Sequence, residues 1–156
     1  MKTPDEIRKL AYLRLEEADI LCQAGKYDGA FYLAGYSIEL MLKAKICKHF
    51  QVDDLFDGKN CKISGIGEIK KAVQTHDISA LLVFSGLHLE LDDVKASDEG
   101  EILDKTITKL FQGNKKCIWN EQVRYSLNFQ ISTDVQELIR LLYHEDGLLH
   151  WIEKWI

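Results

Sequence analysis

The chain has 156 residues, 46% of them hydrophobic and only one of them proline, which is enough to close one sizeable core and too apolar for a disordered segment. A net charge of −5 and a pI near 5.5 exclude a protein that coats nucleic acid nonspecifically, because that requires clustered Lys and Arg to neutralise phosphate. No apolar run is long enough to cross a bilayer and no secretory leader is visible, so a single-domain cytoplasmic protein spanning 1–156 and making no membrane contact is expected.

Thr3-Pro4-Asp5-Glu6 predicts a helix start, with Thr3 as N-cap, Pro4 at the first helical position and Glu6 reaching back as the acid of a capping box. Ile7, Leu10, Ala11, Ala18, Leu21 and Cys22 supply an apolar stripe and Gly25 a left-handed stop, so the first helix covers about 4–24. Arg14 falls on that stripe, where it either snorkels or meets a buried carboxylate, for which Glu39 is the natural partner. A short turn then leads into a second helix from about Tyr27 to Lys48 or His49, which makes the two an antiparallel hairpin.

The second helix is apolar nearly all round, as a central buried helix should be, yet Tyr32, Tyr36, Glu39 and Lys43 recur at helical spacing and share one face. Glu39 and Lys43 can pair at i,i+4. The stripe is either a buried hydrogen-bond network with Arg14 or the lining of a nucleotide-sized pocket. Gly29 and Gly35 lower helix propensity by about 1 kcal/mol each, which predicts close helix–helix approach there.

Residues 51–66 predict a loop, followed by short helical pieces over 67–75 and 77–86, the latter opened by Asp77 as N-cap. Asp98 with Glu101 predicts a further helix to about Gln112. Seven acids stand against Lys95 over 90–104, and five Lys or Arg against Glu121 over 105–124, a pair of runs that reads as a solvated loop with balancing charges or, alternatively, as an anion-binding surface. After an irregular region over 113–131, Ser132 or Thr133 starts a long last helix with Val135, Leu138, Ile139, Leu142, Leu149 and Ile152 on its core stripe and Gly147 as a bend. With no alternating period-2 run, the fold class is all-α, an antiparallel up-and-down bundle.

Several of these segments carry a recognisable wording. Gly25-Lys26-Tyr27-Asp28-Gly29-Ala30, then Ala34-Gly35-Tyr36 with Glu39 and Leu42-Lys43-Ala44, then His76-Asp77-Ile78 and Trp119-Asn120 with Val123-Arg124-Tyr125, together resemble the HEPN domain family of small helical bundles. The resemblance covers most of the chain and is strongest over 11–47. It implies either a metal-independent ribonuclease, or a nucleotide- or RNA-binding partner of a nucleotidyltransferase in a toxin–antitoxin or defence system. Ribonuclease members resemble one another in an Arg followed, four to six residues later, by a His on the last helix, paired across a homodimer. A histidine there exchanges a proton with the ribose hydroxyl while the arginine steadies phosphate charge, so no metal or cofactor is implied.

The nearest counterpart here is Arg140 and His144, with three intervening residues, which on a continuous helix share one face as the candidate catalytic pair. The bland alternative makes Arg140 a salt-bridge partner of Glu137 or Asp134. Arg124 and Tyr125, after Trp119, form a second candidate, because a guanidinium among aromatics can bind phosphate and stack a base. The alternative there is that Trp119 plugs the bundle end and Arg124 hydrogen-bonds a helix terminus. Trp151 and Trp155 with Leu148 stand off the core stripe and suggest either a homodimer through the C-terminal helix, a docking strip for a protein partner in a non-catalytic interaction module, or a broader core. His49, His76, His88 and His150 are dispersed, and Cys22, Cys47, Cys61 and Cys117 show no metal-ligand spacing, so no metal site is expected and the thiols read as free and reduced.

Overall fold

The computed structural model describes residues 3–56, 63–112, 119–125, 127 and 130–156, so Cys61, Cys117, Lys115 and Lys116 lie outside the described residues. Among those described there is no strand. The elements in order are α1 (Pro4–Gln23), α2 (Tyr27–Phe50), α3 (Ile66–Val73), α4 (Ile78–Ser85), α5 (His88–Lys95), a 3-10 turn (Asp98–Gly100), α6 (Glu101–Ile107), a π turn (Thr108–Gln112), a second 3-10 turn (Glu121–Tyr125), α7 (Ser132–Tyr143) and α8 (Leu148–Glu153).

Local chemistry sets the ends of the first hairpin. The capping box forms in full: the Glu6 amide donates to Thr3 Oγ1 and the Thr3 amide to Glu6 Oε2, both at 3.2 Å, with Pro4 in the first turn. At the other end Gly25 takes a φ of 73° and its amide donates to the Cys22 carbonyl, which turns the chain in the three residues between α1 and α2. The two helices then pack antiparallel along their length, with Ile7, Ala11, Leu15 and Ala18 of α1 fully buried.

α2 is the centre of the molecule, and α1, α4, α7, α8 and the 121–125 turn all pack on it. Its uninterrupted run from Ile38 to Ala44 is buried, charged Glu39 and Lys43 included. Asp77 caps α4 as its sequence position predicts, accepting from the amides of Ser79 and Ala80.

Three expectations need correction. Residues 90–95, read as part of a solvated acidic loop, belong to α5 (His88–Lys95), which Leu91 anchors in the core. The helix expected over 98–112 begins as a 3-10 turn and ends as a π turn, so only 101–107 is regular α-helix. The C-terminal helix is long but not continuous: α7 stops at Tyr143, His144 is extended with φ −63° and ψ 142°, and α8 restarts at Leu148. The break depends on Gly147, where an added Cβ would lie 2.3 Å from the Leu141 carbonyl oxygen and 2.8 Å from that of His144.

Candidate functional site

The polar stripe of α2 gives the molecule its most unusual interior. Glu39 is 1% exposed, and a carboxylate so removed from water needs a countercharge and donors for its oxygens. Both are present. Lys43, one turn on, donates from Nζ to Oε1 at 2.6 Å, and its ammonium lies 5.5 Å from the centre of the Phe56 ring.

The second partner comes from the α3–α4 linker. His76 Nδ1 lies 3.1 Å from Glu39 Oε1 and 3.0 Å from Oε2. A carboxylate only accepts, so Nδ1 carries the hydrogen and donates. That fixes the tautomer, and the other ring nitrogen, Nε2, makes no contact with Glu39. Arg14, the partner expected from the sequence, pairs instead with Glu17 at 2.8 Å on its own helix, and its buried Nε has no hydrogen-bond partner.

His76 is about half exposed and lines an open cleft of about 680 Å³ together with Gln74, Asp77, Phe111, Trp119 and Glu121. The aromatic wall is built back to α2. The Trp119 indole N–H donates to the Tyr32 carbonyl at 3.0 Å, its ring stacks on Tyr32 at 6.4 Å between centroids, and Tyr32 stacks in turn on Tyr36 at 6.0 Å. Gly35 makes this possible, because an added Cβ would fall 2.1 Å from Trp119 Nε1. The predicted close approach at Gly35 is therefore real, but the partner is an indole rather than a helix. Burial first, and then the neighbouring Glu39 and Tyr32, push the Tyr36 hydroxyl above its ordinary pKa, against the opposing pull of Arg14.

The 121–125 turn closes the opposite side. Glu121 is held below the usual carboxylate range, first by its own backbone amide and then by Gln122, with His76 and Arg124 adding to the effect. Arg124, exposed, lies over the Tyr125 ring at 4.8 Å; partial desolvation opposes its charge, while Tyr125 and Tyr32 raise its pKa. Tyr32, Tyr36, Glu39, Lys43, Arg124 and Tyr125 thus occupy one neighbourhood. His76 joins them as the residue sequence reasoning missed, although a buried acid bearing only one lysine already called for a further donor.

Arg140 and His144 do not join them. Arg140 is exposed on α7 and lines a separate groove with Asp19, Cys22, Gln23, Ile139 and Tyr143. Asp134 and Glu137, its suggested partners, both bind Lys109, at 2.6 and 2.7 Å. His144 lies beyond the helix end, and its Nδ1 accepts from the Asp146 amide at 3.1 Å. The i,i+4 face expected for this pair does not exist, because the helix ends before His144. Nor is there a spare tryptophan strip: Leu148 and Trp151 are buried within the single chain and only Trp155, 48% exposed, stands outside. The homodimer expectation loses that support.

The fold and the cleft define an all-α bundle that holds a carboxylate-buttressed histidine beside a wall of stacked aromatics. The Nε2 of such a histidine can hydrogen-bond a ligand in the cleft, and Arg124 of the 121–125 turn, over the Tyr125 ring, can hold an anion. Compared with family models, with curated proteins and with solved structures, the chain matches none. Among the described residues, no cluster of three or more His, Cys, Asp or Glu is placed to hold a metal, and no helix is long and apolar enough to cross a membrane.

Proposed function

We propose that the chain is a HEPN-like helical module that binds a nucleotide or single-stranded RNA in the cleft between residues 74–79 and 119–121. The observation that carries this reading is the convergence there of His76, Phe111 and Trp119, with Arg124 one 3-10 turn beyond Glu121. A volume of about 680 Å³ suits a ligand of nucleotide size. Aromatic walls favour a base and a guanidinium favours its phosphate. In this reading the module serves a nucleotidyltransferase or another component of a toxin–antitoxin or defence system in the cytoplasm, and takes no metal or cofactor of its own.

A metal-independent endoribonuclease using Arg140 and His144 is not favoured, since the two side chains are committed to different surroundings. The test is fluorescence anisotropy of a labelled single-stranded RNA with the purified chain, for wild type and Arg124→Ala. Saturable binding, weakened in the variant and with a salt slope reduced by about one phosphate contact, is expected. Absence of any saturable signal with RNA or mononucleotides would overturn the reading in favour of a protein-interaction module.

A further inference from the structure

A second open cleft, of about 630 Å³, is lined by residues of α5, α6 and α8, and the nucleotide reading leaves it unused. Leu103 and Trp151, both buried, give it an apolar lining, and Trp155, 48% exposed, adds an indole that solvent reaches. The two indoles meet edge to face with ring centroids 6.3 Å apart, so Trp151 braces Trp155 while much of the outer ring stays open.

Two carboxylates line the same cleft, each beside a turn that only a glycine permits. Gly100 closes the Asp98–Gly100 turn against the end of α5, where an added Cβ would lie 2.0 Å from the Val94 carbonyl oxygen, and Glu99 precedes it. Gly147 permits the break between α7 and α8, and Asp146 precedes that. Within the acidic run over 90–104, Asp92 and Asp104 lie beside Lys95 and Glu101 pairs with Lys105, whereas Glu99 has no ion pair among the described residues. The Asp146 carboxylate lies 3.8 Å from His144 Nδ1, a nitrogen that already accepts from the Asp146 amide. Lys154 also lines the cleft and is exposed, on a flexible stem that can turn to solvent.

We propose that this cleft is an interaction site for a protein partner and takes an arginine side chain from a basic segment of it, stacked on Trp155 and donating to Glu99 and Asp146. Charge complementarity selects that occupant. An indole face attracts a cation through its quadrupole, and a guanidinium both stacks on the ring and presents a planar fork of donors to carboxylates. A lysine ammonium has no such fork. An apolar side chain would cover the two acids without supplying donors, which costs free energy.

The probe is a Gly-Arg-Gly tripeptide blocked at both ends, with lysine and citrulline counterparts, titrated into the isotope-labelled intact chain. The readout is the NMR signal of the Trp155 indole N–H, identified by its loss in Trp155→Phe. The arginine peptide is expected to shift that signal saturably and to leave the Trp119 indole, in the other cleft, unmoved. The lysine peptide should bind several-fold more weakly, and the neutral citrulline peptide should give no saturable shift. Glu99→Gln with Asp146→Asn is expected to weaken arginine binding about tenfold, whereas Asp53→Asn with Asp54→Asn, which removes two exposed carboxylates elsewhere, should preserve it. Thermal melts control for folding, and the comparison of peptides on wild type decides the matter if a variant fails to fold. No saturable shift of Trp155, a response to lysine or citrulline equal to that of arginine, unchanged binding in the first double variant, or an equal loss in both double variants overturns the proposal. None of these outcomes touches the nucleotide reading, which concerns a different cleft.

Discussion

Gly35 and Trp119 are in such close register that a single methyl group at residue 35 would overlap the indole, at 2.1 Å from Nε1 and 2.3 Å from Cδ1. Gly35→Ala should gain helix propensity of about 1 kcal/mol yet lose more by overpacking, which typically costs about 1–3 kcal/mol. The indole must move, because the atoms met belong to a rigid ring. Expected are a lowered melting temperature, a red-shifted tryptophan emission and loss of the Trp119–Tyr32 hydrogen bond. An unchanged emission spectrum with a raised melting temperature would show that the ring has room.

The Glu39–Lys43 pair is expected to matter far more for integrity than an exposed pair of the same spacing. Glu39→Gln leaves the Lys43 ammonium, 8% exposed, without its countercharge, and breaking one side of a buried pair typically costs about 3–5 kcal/mol. Glu39→Gln with Lys43→Met should recover much of that loss. Chemical denaturation of the two variants measures the difference, and a single variant as stable as wild type would mean that the pair contributes nothing.

Tyr12 ties α1 to α8. Its hydroxyl donates to Glu153 Oε2 at 2.5 Å, while Arg8 Nη1 donates to Oε1 at 2.8 Å. Burial first, and then the bond and charge of Glu153, raise the Tyr12 pKa well above its ordinary value, against a smaller opposing effect of Arg8. For a raised pKa, the stabilisation is complete below the unfolded value of about 10 and is lost as pH rises through the folded one. Tyr12→Phe should therefore cost on the order of 1 kcal/mol at neutral pH, with the gap between variant and wild type narrowing only in strong alkali. Urea midpoints across that range supply the test.

The two C-terminal tryptophans should behave differently. Trp151 is 8% exposed inside one chain, so Trp151→Glu places a charge in the core and should unfold the α7–α8 region. Trp155, 48% exposed, lies on the surface and its change to Glu should be tolerated. Circular dichroism and sedimentation of both variants distinguish this from a dimer contact, in which Trp151→Glu would yield a folded monomer from a wild-type dimer.

No RNA cleavage that depends on Arg140 and His144 is expected. His144 Nδ1 is occupied by the Asp146 amide, and its backbone is extended where a shared helical face would need it helical. Incubating wild type, Arg140→Ala and His144→Ala with RNA in EDTA should give indistinguishable product patterns. Cleavage abolished by both substitutions would restore the pair as a catalytic unit.

Most of the bundle was legible in the chain alone, because its signals are local. The Thr3–Glu6 capping box, the Gly25 stop, the Asp77 cap and the all-round apolarity of α2 each act within a turn or two, and each appears where its spacing placed it. So does the Glu39–Lys43 pair, whose members are four residues apart. The errors fall where packing overrides local pattern. Leu91, buried in the core, draws an acidic segment into a helix, and the close approach of Gly147 to the Leu141 carbonyl, six residues back, accompanies the end of α7 before His144, separating a pair that looked contiguous. His76 is the strongest case: it lies 37 residues from Glu39, in a linker whose own sequence says nothing of burial, and only the folding of that linker over α2 supplies the donor that a buried carboxylate required. Periodicity determined which face of α2 would be polar; tertiary structure decided what meets that face, because a buried charge takes its partner from whatever segment packing brings within hydrogen-bond reach.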